Sequence, residues 1–185
     1  MNEDTAYKTI LESSYKKQSD FQHDVGKLGY EYDPELSSMQ DKVFYDPKTK
    51  KASIAYRGST TAKDWLGNAK LALGFKDPEA ERRIQLADKV KAKYGEIDTI
   101  YGHSRGALAG EKAGERTGAK VITYNKAVLP EDIFKTIRPE QTDIRTNKDI
   151  VSLPPFFQTG GQKKTIQLPK STNIFSAHSL SNLFR

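Results

Sequence analysis

Residues 97–117 read IDTIYGHSRGALAGEKAGERT, the most informative stretch of the chain. It opens with β-branched and aromatic residues over 97–101, which predict a strand, and closes with an alanine-rich run over 107–117, which predicts a helix. Between them, residues 102–106 match G-x-S-x-G, a tight turn that holds its serine above the carboxyl edge of a sheet. The glycines leave room where strand and helix meet. Ser104 is therefore the candidate nucleophile, with the positive end of a helix behind it.

The residues around this stretch predict a parallel sheet. Asp77 and Pro78 begin a predicted helix whose apolar residues recur at helical spacing until Gly95 ends it. Residues 120–124 predict the strand that follows the serine-bearing helix. Strands and helices that alternate at such short spacings pair in parallel. We therefore expect a compact α/β-hydrolase-type fold, in which a central, mostly parallel sheet has helices on both faces.

Three further elements complete the predicted architecture. Residues 42–45 and 52–56 predict a β-hairpin, since Pro47 and the residue after it favour a turn. Apolar residues recur from about residue 5 to 28, which predicts one amphipathic helix on the outside of the core. Residues 142–146 predict a late strand.

Length and composition predict a single globular domain over residues 1–185, with residues 1–38 as an N-terminal helical segment packed on its core. No apolar run approaches the roughly 20 residues that a membrane-spanning helix needs, and the acidic N-terminus does not resemble a signal peptide. A cytoplasmic, virion-associated or unconventionally exported protein fits these features. The chain has no cysteine, which excludes disulfides, thiolate nucleophiles and cysteine metal sites.

The formal net charge is +6, from 30 Lys and Arg against 24 Asp and Glu. A positive potential attracts anionic partners such as a phospholipid surface or nucleic acid. The cations are scattered along the sequence, which favours an ordinary solvated surface. We expect transient contact with an anionic membrane surface at most and do not expect nucleic acid as a partner. The oligomeric state is not predicted.

A serine hydroxyl needs a base to become nucleophilic near neutral pH. The chain has three histidines. His103 adjoins the serine and is expected to point away across the turn, while His23 falls in the predicted outer helix. His178 remains, and the chain order serine, acid, histidine is that of α/β-hydrolases. His178 is therefore the candidate base.

A buried carboxylate must orient this histidine and stabilise its protonated form. Asp149 follows the predicted strand at 142–146, and active sites on parallel sheets gather beyond the carboxyl ends of the strands. Asp143 is the alternative acid, although it falls at the other end of that strand. We expect Asp149 to complete the site.

Four sequence blocks resemble the class 3 lipases, the family that includes the fungal triacylglycerol lipases. The blocks are Tyr56 to Thr60 with Asp64 to Leu66, similar to the family's R-G-[ST] and downstream D-W; Gly102 to Gly106, similar to G-H-S-x-G; Asn147 to Pro154, similar to N-x-D-x-V-x-x-x-P; and Ala177 to Leu180, similar to the late histidine. They follow one another in the family's order between about residues 42 and 182.

The resemblance implies roles for further residues. Ser59 and Arg105 would supply the backbone N–H groups of an oxyanion hole, whose individual donors are typically worth about 10² to 10³ in turnover. Trp65 and Asp64 are interpreted as packing and loop-fixing residues. Arg105 replaces a leucine common in the family, which places a cation beside the site and would favour anionic head groups. Residues 66–76 leave room for no more than a short flap, which argues against a preference for long-chain triglycerides.

The sequence therefore predicts acyl transfer to water through an acyl-enzyme on Ser104, with His178 as base and then acid, and with Asp149 orienting it. No metal or organic cofactor is needed. Lipid or phospholipid esters are the expected substrates. The same scaffold also supports a generic carboxylesterase, a thioesterase or a peptidase. A catalytically idle protein that binds membranes or nucleic acid is the alternative from another class.

Overall fold

A computed structural model of the chain describes residues 3–58, 78–129, 132–149, 152 and 158–184. Its centre is a seven-stranded sheet whose strand order follows the chain. The strands are β1 (Glu31–Tyr32), β2 (Asp41–Asp46), β3 (Lys51–Tyr56), β4 (Ile97–His103), β5 (Lys120–Tyr124), β6 (Thr136–Thr146) and β7 (Thr159–Ile166). The first three strands pair antiparallel, and every pairing from β3 to β7 is parallel.

Helices cover both faces of this sheet, as the sequence predicts. They are α1 (Glu3–Ser13), α2 (Gln18–Lys27), α3 (Pro78–Tyr94), α4 (Arg105–Thr117), the short α5 (Ile174–Ala177) and a 3₁₀ helix (Leu180–Phe184). The α1 and α2 helices pack on one face through a cluster that includes Ile10, Leu11, Phe21, Phe44, Tyr101 and Tyr124. The α3 and α4 helices pack on the other face through a cluster that includes Val43, Ile54, Ala87, Val90, Ile100 and Ala109. Neighbouring strand residues point to opposite faces, which produces these two separate cores.

The predicted hairpin and parallel strands are confirmed. β2 and β3 pair from Asp41↔Tyr56 to Asp46↔Lys51, and Lys50 in their connection adopts a positive φ of 58°. β3 then pairs in parallel with β4, with Tyr56 opposite Gly102. This pairing brings the end of the hairpin beside the G-x-S-x-G turn.

The single N-terminal helix predicted for residues 5–28 is wrong, because the structure has two helices that break between residues 14 and 17. Ser13 Oγ donates to the Ile10 carbonyl oxygen at 2.5 Å, and Ser14 Oγ donates to the Leu11 carbonyl oxygen at 2.7 Å. Serine hydroxyls that bond to nearby backbone groups favour the ends of helices over their interiors. The break lets the Tyr15 side chain reach the ends of β3 and β4.

The late part of the sheet differs from the prediction in length and strand number. β6 begins at residue 136 rather than 142, and β7 was not predicted. The β6–β7 register is irregular between Ile137 and Thr142, a stretch that contains Pro139, which has no N–H to donate. Opposite it, Gly160 and Gly161 have φ values of 70° and 58°. Helices long and apolar enough to cross a membrane are absent from the described ranges.

Candidate active site

Ser104 lies on a strained turn between β4 and α4. Its φ of 55° and ψ of −121° fall outside the regions that non-glycine residues favour. The Ser104 N–H donates to the Tyr124 carbonyl oxygen of β5 at 3.1 Å, and the Ser104 carbonyl accepts from the Ala107 N–H at 3.1 Å. Strand and helix therefore hold this strained conformation from both sides, as expected of a nucleophile elbow.

The flanking glycines are required by space. A Cβ on Gly102 would lie 2.5 Å from the Ala107 Cα, and a Cβ on Gly106 would lie 2.4 Å from the Tyr56 carbonyl oxygen. The prediction that side chains at these two positions would collide with the adjoining helix and strand is confirmed. Gly58, just beyond β3, is equally tight, since its Cβ would lie 2.8 Å from the Ser104 Cβ. The end of the hairpin therefore packs directly on the serine.

The three residues predicted for the site lie together in one hydrogen-bonded row. Ser104 Oγ is 2.8 Å from His178 Nε2, and His178 Nδ1 is 3.0 Å from Asp149 Oδ1. All three are buried, Asp149 completely. Because the carboxylate accepts from Nδ1–H, Nε2 is left as the acceptor for the serine hydroxyl. This arrangement can take the proton from the serine during a nucleophilic attack.

Buried polar side chains at the strand ends hold the backbone that precedes His178. The Ala177 carbonyl oxygen accepts from Asn125 Nδ2 at 3.1 Å and from Thr146 Oγ1 at 2.8 Å. Asn125 Oδ1 in turn accepts from the Thr146 N–H at 2.9 Å. Asn125 follows β5 and Thr146 ends β6. The imidazole is thus anchored at the same sheet edge as Ser104.

A lysine joins the segment that carries Asp149 to the segment that leads to His178. Lys148, next to Asp149, donates through Nζ to the carbonyl oxygens of Pro169 at 2.8 Å, Lys170 at 2.6 Å and Thr172 at 3.2 Å. Side chains that bridge two loops in this way reduce their relative motion.

His103 contacts the backbone of His178 and not the Ser104 hydroxyl. His103 Nε2 lies 2.9 Å from the His178 carbonyl oxygen, and His103 Nδ1 lies 2.5 Å from the Tyr15 hydroxyl. A carbonyl oxygen only accepts, so Nε2 carries the hydrogen and Nδ1 accepts from Tyr15. The Tyr15 oxygen also accepts from the Gly58 N–H at 2.8 Å. A chain of hydrogen bonds therefore runs from the end of β3 to the backbone of His178.

Burial keeps the side chains of this series of hydrogen bonds, His103 and Tyr15, uncharged. It lowers the pKa of His103 to about 3, and the nearby His178 adds to the effect. It also raises the pKa of Tyr15 to about 12. With neither group ionised near neutral pH, the donor and acceptor roles stay constant. Tyr15, Asn125 and Thr146 were not predicted from the sequence as supports of the site. Polar residues at the carboxyl ends of the parallel strands were the signal for Asn125 and Thr146, whereas Tyr15 carried none.

The other residues predicted for the site, and the excluded histidine His23, are placed as follows. Arg105 is the first residue of α4, so its backbone N–H adjoins the serine at the positive end of that helix. Ser59, Trp65, Asp64 and the predicted flap at 66–76 lie outside the described residues. His23 is exposed on α2.

The alternative acid Asp143 takes part in a different network. Its carboxylate accepts from Thr123 Oγ1 at 2.7 Å and from Lys126 Nζ at 2.9 Å. Lys126 also binds Glu111 of α4 at 2.6 Å. It is Asp149, not Asp143, that contacts His178. Among the described residues, no group of three or more acidic and histidine side chains is placed to hold a metal ion.

Comparison with known proteins identifies relatives of this chain. Residues 2–162 match a phospholipase-like family, the Tle-like phospholipase domain. The extracellular phospholipase A1 of Serratia liquefaciens is 29% identical over 109 residues, which cover 56% of this chain and 34% of that protein. The alignment therefore spans about a third of the length of that curated relative.

Solved lipase structures share the fold. Lipase II from Rhizopus niveus superposes with a TM-score of 0.63 at 13% identity, covering 91% of this chain and 81% of that one. The Rhizomucor miehei lipase propeptide complex carrying a two-residue deletion superposes with a TM-score of 0.59 at 14% identity, covering 98% and 74%. The α/β-hydrolase fold and the resemblance to lipases predicted from the motifs are confirmed. This chain belongs to the phospholipase-like family that is defined by the Tle-like phospholipase domain.

Proposed function

We propose that the chain hydrolyses carboxylic ester bonds of phospholipids through an acyl-enzyme formed on Ser104. The observation that carries this proposal is the row of hydrogen bonds from Ser104 through His178 to Asp149, mounted on a strained turn at the edge of a parallel sheet. Family membership and the +6 charge favour phospholipids over neutral esters.

The reaction follows from the roles of these three side chains. His178 Nε2 accepts the Ser104 proton as the serine oxygen attacks the ester carbonyl, and Asp149 stabilises the resulting imidazolium. The negative charge that develops on the carbonyl oxygen is stabilised by the positive end of α4, where Arg105 supplies the first N–H. His178 then protonates the leaving alcohol. A water molecule, activated by the same imidazole, releases the fatty acid and restores the serine.

The proposal is tested by labelling with a fluorophosphonate and by turnover of a p-nitrophenyl ester. The unchanged chain should be labelled on Ser104, and Ser104→Ala should lose labelling and at least about 10³-fold in kcat because the nucleophile is gone. Ser19→Ala, which changes an exposed serine on α2, is the matched control and should retain both. Equal labelling of Ser104→Ala and the unchanged protein would refute the assignment.

A substrate panel then tests the bond and the class of lipid. Phospholipid, triacylglycerol, acyl thioester and peptide amide substrates with the same acyl group should rank with the phospholipid first. A peptide or thioester in first place would contradict the proposed substrate while leaving the nucleophile in place.

A further inference from the structure

A basic cleft of about 400 Å³ opens on the face of the sheet that carries α1 and α2. It lies between the α1–α2 connection, the loop before β2 and the residue that follows β3. Its described lining includes Tyr15, Lys16, Lys17, Met39, Lys42 and Arg57. No carboxylate lies among the described lining residues.

The cations of this cleft are poorly neutralised by the protein itself. Lys16 pairs with Glu12 at 3.1 Å, but within the described ranges no carboxylate lies in salt-bridge contact with Lys17, Lys42 or Arg57. Lys42 Nζ donates to the Ser38 carbonyl oxygen instead. Burial lowers the pKa of Lys42, and the charge of Arg57 lowers it further against the effect of the adjoining Asp41. The positive charges of Lys42 and Arg57 repel each other, which favours the binding of an anion between them.

The shape of the cleft suits a phosphate group joined to an apolar body. The Arg57 guanidinium lies 4.9 Å from the centre of the Tyr15 ring, which holds its planar donors in a defined orientation. Arginine donates two parallel hydrogen bonds to phosphate, and lysine adds a compact charge. Met39, 83% exposed at the cleft, offers a flexible apolar contact to a glycerol or acyl chain.

Two lining residues connect the cleft directly to the nucleophile. Arg57 precedes Gly58, which packs against Ser104, and the Tyr15 hydroxyl contacts His103, the residue before the nucleophile. In a glycerophospholipid the phosphorus and the scissile carbonyl are only a few bonds apart on one glycerol. These two contacts are compatible with one glycerophospholipid that has its ester at Ser104 and its phosphate in the cleft.

We propose that this cleft is the subsite for the phosphate of the phospholipid substrate, with Lys17, Lys42 and Arg57 as its ligands. This assignment rests on the proposed function for its link to turnover. The assignment of the cleft as a binding site for a glycerol phosphate group depends only on the residues that line the cleft.

The kinetic test uses short-chain lipids dissolved as monomers, so that charge resides on the substrate and not on a surface. The measured quantity is the ratio of kcat/KM for a short-chain phosphatidic acid to that for the diacylglycerol with the same acyl chains. Lys17→Gln combined with Arg57→Gln should lower this ratio about tenfold or more, because charge-assisted hydrogen bonds to the phosphate are lost. Lys120→Gln combined with Lys164→Gln removes two exposed cations elsewhere and should leave the ratio within about twofold. An unchanged ratio in the cleft variant overturns the proposal.

The binding test uses Ser104→Ala protein and calorimetric titration, so it does not require turnover. Glycerol 3-phosphate should bind, and adding Lys17→Gln and Arg57→Gln should weaken binding about tenfold or more. Equal binding by both proteins, or tighter binding of inorganic phosphate than of glycerol 3-phosphate, overturns the subsite. A different outcome is that the cleft variant loses binding to anionic vesicles while its ratio of kcat/KM values for the two monomeric lipids stays unchanged. That result would assign the cleft to binding of the membrane surface. If the unchanged enzyme hydrolyses neither lipid, the proposed function fails while the titration still decides the subsite.

Discussion

The carboxylate that faces His178 is the side chain whose role is simplest to isolate. Asp149→Asn keeps the size of the side chain but favours the wrong imidazole tautomer, because an amide NH₂ in place of Oδ1 would face Nδ1–H. We expect kcat to fall about 10³- to 10⁴-fold with little change in stability. Asp143→Asn, a change in the network that Asp143 forms with Lys126 and Glu111, should instead lower the denaturation midpoint and change kcat by a few-fold at most. The reverse pattern, measured on p-nitrophenyl ester turnover and urea unfolding, would make Asp143 the acid.

His103 is a positioning residue, since its imidazole contacts the backbone of His178 and not Ser104 Oγ. Replacing it with Leu removes the donor to the His178 carbonyl, and we expect kcat to fall about 10- to 100-fold with KM within about twofold. His103→Gln keeps an N–H₂ group near the Nε2 position and should recover most of the loss. Tyr15→Phe should resemble a weaker form of His103→Leu. A change confined to KM, or no recovery by Gln, would contradict this role.

The α4 helix passes close to the end of β3 at Gly106. Gly106→Ala would place a methyl group 2.4 Å from the Tyr56 carbonyl oxygen, a backbone atom that cannot rotate away. We expect a loss of about 2–4 kcal/mol in the free energy of unfolding and a displaced elbow. Gly26→Ala on α2 meets no atom within 4 Å and should raise stability by about 0.5–1 kcal/mol. Urea denaturation of both variants measures the difference, and equal stabilities would contradict the packing argument.

The stability of the whole fold also depends on a buried network of ion pairs between α4, β6 and the segment that follows β5. Lys126 binds both Glu111 and Asp143, and Lys135 adds a second cation to Glu111. Burial by itself raises the pKa of Glu111, but the charge of Lys126 and hydrogen bonds from Gln141 and the lysines outweigh it and lower that pKa to about 2. The stabilisation is therefore fully present above the ordinary value of 4.5 and is lost as pH falls towards 2.

Lys126→Met should consequently cost about 3–5 kcal/mol at neutral pH, because two carboxylates are left buried with less neutralising charge. The deficit should shrink as pH falls below about 4.5, since Glu111 can then take up a proton in the variant. Lys89→Met on the exposed side of α3 is the matched control and should change stability by about 0.5 kcal/mol or less. A deficit for Lys126→Met that is constant from pH 7 to 3 in urea unfolding experiments would contradict this assignment.

His103 adds a second dependence on pH at the level of the whole fold. The unfolded chain binds a proton near pH 6.5, whereas folded His103 does so near pH 3, so its contribution to stability falls as pH decreases through that window. As the pH is lowered, the loss of stability due to His103 should begin at a higher pH than the loss due to Glu111.

Most of the features that could be predicted from the sequence are local ones. Strand, turn and helix around Ser104 follow from short-range periodicity and from the space that Gly102 and Gly106 must leave. Asp149 and His178 were found through the order of acid and histidine and through motifs, and the structure brings both to the serine. Steric limits on neighbouring residues act whatever the rest of the chain does, so they can be recognised without it.

Features that depend on contacts between distant segments could not be predicted from the sequence. The break after α1 places Tyr15 against His103, 88 residues further along the chain, and β7 forms from a glycine- and lysine-rich segment with little strand character of its own. The basic cleft likewise joins residues from both ends of the β2–β3 hairpin to the connection between two helices. Such contacts arise from the summed packing of the whole core, and no local pattern encodes them.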